Sequence, residues 1–85
     1  MECRLDVSPD GGGSVVRIHG RLAGAAIPEL ERVCRNASAP LVLDVTHLMN
    51  ADDCGVAIIR RLVVDGARVT GMSPYLALLL GLNES

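Results

Sequence analysis

The spacing of apolar residues predicts four short strands. Cys3 to Val7 alternates Cys, Leu and Val with Arg and Asp, a period of two that is typical of a strand. Asp10-Gly11-Gly12-Gly13-Ser14 predicts a turn, and residues 15–19 predict the returning strand of a hairpin. The nearly continuous apolar run 41–45 predicts a strand that is covered on at least one face. Residues 67–72 predict the fourth strand.

Three other segments repeat apolar residues every three or four positions and therefore predict helices. The first helix is predicted around 25–36, the second from a cap at Asp52 or Asp53 to about Asp65, and the third from Ser73-Pro74. The predicted apolar faces consist of Ile27, Leu30, Val33 and Cys34 in the first helix, Gly55, Ile58, Ile59, Leu62 and Val63 in the second, and Leu76, Leu79 and Leu80 in the third.

The order β-β-α-β-α-β-α predicts one α/β domain over residues 1–85, with no linker or repeat. Helices that alternate with short buried strands favour a mostly parallel sheet with right-handed crossovers. The opening hairpin adds one antiparallel strand, so the predicted sheet is mixed and has four strands and three helices. Residues 46–51 are predicted to form a loop between the third strand and the second helix.

Composition indicates an aliphatic core. Hydrophobic residues make up 49% of the chain, and a single Tyr is the only aromatic residue. A domain of this size buries only about 60% of the surface that its unfolded chain exposes. Part of the apolar surface is therefore expected to be covered by a partner protein or by a second copy in a homodimer.

Several classes of protein do not fit the sequence. The longest apolar stretch, 75–82, is far shorter than the roughly 20 residues of a membrane span, and the segment 1–13 lacks the apolar run of a signal peptide. We therefore expect a cytoplasmic protein without membrane insertion. The net charge is −2, without a basic patch or aromatic stacking platforms, which argues against nucleic-acid binding. Cys3, Cys34 and Cys54 form no CxxC pair and are expected to be reduced.

The densest polar cluster is Asn50-Ala51-Asp52-Asp53-Cys54-Gly55, at a strand-to-helix junction on the carboxyl side of the predicted sheet. Ligands of open α/β sheets bind at such edges. A purely structural interpretation is that one Asp caps the helix, a contribution of about 1 kcal/mol. That interpretation explains one Asp well and the second only partly.

Two chemical interpretations of the same region find weaker support. The side chains that would serve as metal ligands have no recognised ligand spacing; they are Asp44, His47, Asp52 and Asp53. Cys54 would be a nucleophile near a helix N-terminus, with His47 or His19 as its base, but the neighbouring carboxylates oppose thiol ionisation. We therefore predict no metal, no cofactor and no catalytic residue.

The segment 43–56, Leu-Asp-Val-Thr-His-Leu-Met-Asn-Ala-Asp-Asp-Cys-Gly-Val, resembles the signature of STAS domains, the family of bacterial anti-sigma factor antagonists. Members typically have a hydrophobic strand ending in Leu-Asp-Leu, a short loop, and an Asp-Ser-Ser/Ala-Gly-Leu element that opens the next helix. Residues 16–22 are similar to the family's strand ending in Gly-x-Leu, and residues 65–74 to its Gly-Ala-x-Leu strand and the start of its last helix. The resemblance spans roughly residues 14–80 and keeps the family's order of elements.

Asp44, Asp52 and Gly55 match the family's pattern, whereas Asp53 occupies the position of the phosphorylatable Ser. In the family a partner kinase phosphorylates this Ser, and the added charge expels the partner. Asp53 cannot be phosphorylated as a serine. It either mimics a phosphorylated state or marks the loss of the switch, and the sequence leaves both alternatives open. Ala23 also departs from the family, which often has Asp there.

The resemblance implies a non-catalytic protein-binding module that regulates transcription by partner switching. The partner of such a module would be an anti-sigma factor that resembles a serine kinase. Alternatively, the chain is a STAS accessory subunit, and its partner is the ATPase of an ABC transporter. A third alternative is a minimal enzyme that uses Cys54 or the pair Asp52 and Asp53. Asp44 and Gly55 are expected to support the loop. The predicted partner-binding residues are Asp52, Asp53, Cys54, Val56, Ala57, Arg60, Arg61 and Val64.

Overall fold

The computed structural model describes residues 3–80 of the chain, with the side chains of residues 79 and 80 left out. The elements are β1 (Cys3–Asp10), β2 (Gly13–Leu22), α1 (Ala26–Asn36), β3 (Leu41–Asp44), β4 (Leu48–Ala51), α2 (Asp53–Val64), β5 (Arg68–Thr70) and α3 (Pro74–Leu80). The predicted α/β class, mixed sheet and three helices are confirmed. The predicted inward positions of Leu79 and Leu80 lie outside the described side chains.

The strands form a five-stranded sheet in the order β1-β2-β3-β5, with β4 also paired to β2. β1 runs antiparallel to β2 as the predicted hairpin, and the other pairings are parallel. Because β2 is longer than its neighbours, β3 pairs with residues 14–17 of β2 and β4 pairs with residues 20–22. β3 and β4 therefore follow each other along β2.

The prediction of four strands is wrong, because residues 48–51 form β4 instead of a loop. The element order is consequently β-β-α-β-β-α-β-α. Leu48 pairs with Gly20 and Asn50 pairs with Arg21, so the register shifts by one residue at Met49. This bulge breaks the alternation of apolar and polar positions that would have identified the strand.

The core lies between the sheet and the helices. Every second residue of β2 faces it, and Val16 and Ile18 are completely buried. The buried residues of the helices belong to the same apolar cluster; they are Leu30 of α1, Ile58 and Ile59 of α2, and Leu76 of α3. All three helices therefore pack on one face of the sheet, and the opposite face carries polar side chains such as Arg17 and Arg68.

The helix ends follow local sequence signals. Gly66 follows α2 with a φ of 112°, the positive value that makes glycine suitable just after a helix. The Ser73 hydroxyl accepts a hydrogen bond from the Leu76 N–H at 3.2 Å and so caps α3. Within residues 3–80, none of the helices combines the length and the apolar character that crossing a membrane requires.

Candidate functional site

The candidate site lies where β4 leads into α2, beside the carboxyl end of β2. The Asp52 N–H donates a hydrogen bond to the Leu22 carbonyl oxygen at 3.2 Å, which ties the start of α2 to the last residue of β2. Gly55 is buried at the same place, and a Cβ there would collide with the Leu22 carbonyl oxygen. The absence of a side chain at Gly55 therefore allows α2 to approach β2 closely.

Asp52 is the cap of α2. It has an extended backbone conformation, and its Oδ1 accepts a hydrogen bond from the Gly55 N–H at 2.8 Å. Its carbonyl oxygen accepts the first intrahelical bond, from the Val56 N–H at 2.9 Å. Of the two aspartates that sequence reasoning left as candidates, Asp52 has the structural role, and its carboxylate is occupied by the helix.

Asp53 lies in the first turn of α2 and is exposed to solvent. Within residues 3–80 its carboxylate makes no hydrogen bond and no ion pair with another side chain. A negative charge in the first turn interacts favourably with the helix dipole, and this requires no specific contact. The Asp53 carboxylate is therefore available to a second molecule.

The outer side of α2 presents a continuous row of exposed residues. Asp53, Ala57, Arg60 and Val64 are spaced by four, three and four positions, which places them on one side of the helix. Val64 is 84% exposed although it is a large aliphatic residue. We call these four residues the α2 stripe. It combines one acidic, one basic and two apolar side chains.

The other predicted partner-binding residues lie off the α2 stripe. Cys54 is exposed in the first turn, next to Asp53. Val56 is half-buried and packs against the core. Arg61 donates a hydrogen bond to Glu31 of α1 at 3.1 Å, so its guanidinium is directed towards the neighbouring helix. The structure thus separates Val56 and Arg61 from the row of exposed residues.

Asp44 closes β3 and organises the turn that follows it. Its Oδ1 accepts hydrogen bonds from the Thr46 hydroxyl at 2.6 Å and from the Thr46 N–H at 3.0 Å. The Thr46 hydroxyl is the main cause, and the Thr46 N–H a further one, of a lowered pKa of the Asp44 carboxyl. The charge of Arg17, whose Nε lies 3.5 Å from Asp44 Oδ2, acts in the same direction. These contacts give Asp44 a role in shaping the turn.

The two histidines contact each other. The rings of His19 and His47 are stacked, with centroids 5.2 Å apart and an angle of 6° between their planes. His19 Nε2 lies 3.4 Å from Asp6 Oδ2 but makes no hydrogen bond. Cys54, the candidate nucleophile, belongs to α2. His19, one of its two candidate bases, belongs to β2 and pairs with Arg4 of β1.

Residues 3–80 contain no cluster of three or more His, Cys, Asp or Glu side chains that would hold a metal ion. The residues considered as metal ligands on the basis of the sequence do not form such a cluster; they were Asp44, His47, Asp52 and Asp53. Their carboxylates have other surroundings instead. Asp44 Oδ1 is bonded to Thr46, Asp52 Oδ1 is bonded to Gly55, and Asp53 is directed to solvent.

Two features, one beside the site and one at the other end of α2, were missed by sequence reasoning. Met49 is 66% exposed at the bulge of β4, four residues before Asp53, and adds apolar surface to the approach to α2. A cleft of about 330 Å³ lies between the carboxyl-terminal ends of α1 and α2, with Cys34, Leu62 and Asp65 among its lining residues. The residues around Met49, which the sequence predicts to be a loop, do not indicate an exposed bulge. The cleft is not indicated either, because segments that are distant in sequence line it.

Comparison with known proteins adds nothing to the resemblance to STAS domains, which rests on the residues of this chain alone. Neither the family models nor the curated proteins include a match to this chain. The likeness to STAS domains therefore consists of three motifs, which lie in residues 16–22, 43–56 and 65–74.

Proposed function

We propose that this chain is a non-catalytic, STAS-type regulatory module that binds an anti-sigma factor through the α2 stripe and the preceding β4 bulge. The observation that carries the proposal is the division of roles between the two adjacent aspartates. Asp52 caps the helix through its bond to the Gly55 N–H at 2.8 Å, and Asp53 is exposed and has no side-chain partner among the described residues. A cap alone accounts for only one of the two carboxylates.

The composition of the α2 stripe supports a protein partner. Protein interfaces combine an apolar centre with a polar rim that remains accessible to solvent. Val64 and Met49 are exposed by 84% and 66%, and they supply apolar surface along the helix and before it. Asp53 and Arg60 supply opposite charges at separate points of the same side. Such a surface fits a partner that presents apolar side chains together with a basic group opposite Asp53.

Asp53 stands where STAS antagonists carry their phosphorylatable Ser, and this changes the regulation that we propose. A phosphate adds about 1.5 to 2 negative charges, and these appear only when a kinase acts. The carboxylate of Asp53 carries one negative charge at neutral pH without any modification. The module therefore acts in the cytoplasm as a constitutive binding partner, and its occupancy is set by concentration and not by phosphorylation of residue 53.

The test compares Asp53→Arg and Asp53→Ser with a matched control, Asp65→Arg. Asp65 is exposed directly after the carboxyl end of the same helix and does not share the spacing of the α2 stripe, so the control makes the same change of charge off that row. The partner is first captured from a native lysate on the immobilised chain and identified by mass spectrometry. Its affinity for each variant is then measured by calorimetry. We expect Asp53→Arg to weaken binding at least about thirtyfold, the effect of losing one interfacial hot spot of about 2 kcal/mol, and Asp65→Arg to leave it unchanged.

Thermal unfolding of the same three variants separates binding from stability. If Asp53→Arg unfolds at a much lower temperature while its affinity is unchanged, Asp53 serves the fold and the proposal is wrong. The identity of the captured protein decides between the two partner classes. An anti-sigma factor supports the proposal, whereas the ATPase of an ABC transporter identifies the chain as a transporter accessory subunit. A homodimer is compatible with either partner.

A further inference from the structure

The first strand offers an unpaired edge. Within residues 3–80, β1 is the terminal strand of the sheet and bonds to β2 along one side only. Its outer side, which we call the β1 edge, is formed by residues 3–7, and it exposes backbone N–H and C=O groups. Edge strands of this kind pair readily with another strand unless charges, proline or a bulge prevent it. Here the proline, Pro9, comes only near the end of the strand.

The side chains of β1 alternate between the two faces of the sheet. Leu5 and Val7 lie opposite the buried Ile18 and Val16 of β2, so they face the helix layer. Val7 is nevertheless 49% exposed. Arg4 and Asp6 face the other side of the sheet, with Arg4 Nε 3.6 Å from Asp6 Oδ2. The β1 edge thus carries apolar residues on one face and one charge of each sign on the other.

We propose that the β1 edge pairs antiparallel with the β1 edge of a second copy, around a two-fold axis that passes beside Leu5. In this register Leu5 lies opposite Leu5 of the second copy, and Cys3 lies opposite Val7. Arg4 of each copy lies opposite Asp6 of the other copy. An antiparallel pair of strands is stabilised when opposite charges face each other directly and when apolar side chains face each other directly. Charge complementarity therefore identifies the occupant of this edge as the chain itself.

Among the registers centred on residues 4–7, symmetry and charge together select this one. A two-fold axis perpendicular to the sheet keeps the helices of both copies on one face, and it requires each residue to oppose another of the same face. Centring the pair on Arg4 opposes two arginines, and centring it on Asp6 opposes two aspartates, both of which are unfavourable. Centring it on Val7 places Pro9, which lacks an N–H, inside the ladder. Centring it on Leu5 avoids all three problems.

The helix-side surface beside the edge leaves room for the second copy. A groove of about 680 Å³ lies between the start of α1 and β1, lined by Cys3, Leu5 and Glu29 among others. In the proposed register, Val7 of the second copy lies over Cys3 at this groove. The pairing therefore covers apolar surface that a single copy leaves open, as the composition of the chain leads us to expect.

A charge-exchange experiment tests the pairing. Sedimentation equilibrium is run on Arg4→Asp, on Asp6→Arg, and on an equimolar mixture of the two variants. Each variant alone places like charges opposite each other at both sites of the homodimer, so we expect dimer affinity to fall at least about tenfold. In a mixed dimer the introduced aspartate faces the introduced arginine, and the original Asp6 faces the original Arg4. The mixture is therefore expected to recover the dimer.

The matched control is Arg68→Asp, which makes the same change of charge on β5, at the opposite edge of the sheet. This variant is expected to dimerise like the unaltered chain. Circular dichroism and thermal unfolding of every variant exclude loss of folding as the cause of a lost dimer. If the unaltered chain is monomeric at millimolar concentration, or if the mixture fails to recover the dimer while both variants are folded, the proposal is wrong.

A crosslink tests the register itself. In the Cys34→Ser, Cys54→Ser background, Val7→Cys places a thiol opposite Cys3 of the second copy. Mild oxidation is expected to give a covalent dimer whose tryptic peptides join positions 3 and 7. Ser8→Cys in the same background is the control, because its side chain is on the other face of the sheet. A crosslink that joins position 7 to position 7 would show a different register and overturn the proposal.

Discussion

At the scale of single residues, the neighbouring Asp52 and Asp53 have the same side chain but different roles. The carboxylate of Asp52 caps α2, whereas the carboxylate of Asp53 is exposed to solvent. Asp52 is half-buried with an extended backbone, and its carboxylate accepts the bond from the Gly55 N–H at 2.8 Å. Asp53 follows as the first helical residue of α2, and it is exposed to solvent. Both lie near the positive end of the helix dipole. Only Asp52 satisfies an unpaired N–H of the first turn.

This difference predicts unequal losses of stability. Asp52→Ala removes the acceptor of a backbone N–H and is expected to lower the free energy of unfolding by about 1 kcal/mol. Asp53→Ala removes only a dipole interaction at an exposed site, and a change within about 0.5 kcal/mol is expected. Urea unfolding followed by circular dichroism measures both. Asp52→Asn, which retains a cap, is the control. Equal losses for the two alanine variants would contradict the assignment of the cap.

At the scale of elements, β4 marks the limit of what local patterns predicted. The end of α2 and the start of α3 follow from the sequence, because Gly66 and Ser73 act through their own backbone and side-chain geometry. β4 forms for a non-local reason. β2 has 10 residues and β3 only 4, so the carboxyl end of β2 keeps an open edge that residues 48–51 fill. Neither strand length nor the bulge at Met49 is visible in the residues of β4 themselves.

The same limit applies to the candidate site. Sequence composition located the polar cluster and both aspartates, but either aspartate satisfied the requirements of a cap. The distinction depends on where α2 begins, which the pairing of β4 with Leu22 determines. The sequence predicts Arg61 on the exposed side of α2, together with Arg60. The bond of Arg61 to Glu31 joins residues 30 positions apart, which no local pattern indicates.

Two neighbouring residues of β4 provide a test of its structure. Leu48 is 6% exposed and belongs to the core, whereas Met49 is 66% exposed at the bulge. We expect Leu48→Ala to lower the free energy of unfolding by about 2 to 3 kcal/mol, as for other buried leucines. Met49→Ala is expected to change it by less than about 0.5 kcal/mol, because the side chain loses little contact. Comparable losses from the two substitutions, measured by urea unfolding, would mean that Met49 packs inward.

At the scale of the whole molecule, one layer of helices covers one face of a small sheet, and the apolar surface is not fully used. The sequence predicted an excess of aliphatic residues but could not place it. The structure places exposed apolar surface at separate points; among the residues that it describes, the exposed large hydrophobic residues are Val7, Met49, Val64, Tyr75 and Leu78. Val7 lies on the β1 edge, Val64 on the α2 stripe and Met49 on the approach to it. Both proposed contacts with other chains therefore use surface that the fold leaves open.

The reactivity of the three thiols tests how the helices and strands pack in the whole fold. Cys54 is exposed, whereas Cys3 and Cys34 are half-buried. Burial raises the pKa of the Cys3 thiol, and it raises the pKa of the Cys34 thiol to about 11. Alkylation requires the thiolate, and at a pKa of about 11 only about one thiol in a thousand is ionised at pH 8. Both access and ionisation therefore protect Cys34 in the folded chain.

We accordingly expect iodoacetamide at pH 8 to modify Cys54 first, Cys3 next and Cys34 last, as followed by mass spectrometry of tryptic peptides. In 8 M urea the three rates should converge, because the packing that protects Cys34 is lost throughout the chain at once. This control separates the effect of the fold from that of the neighbouring residues in sequence. Modification of Cys34 as fast as Cys54 under native conditions would contradict the packing of α1 on the core. Slow modification of Cys34 that persists in urea would place its protection in local sequence and not in the fold.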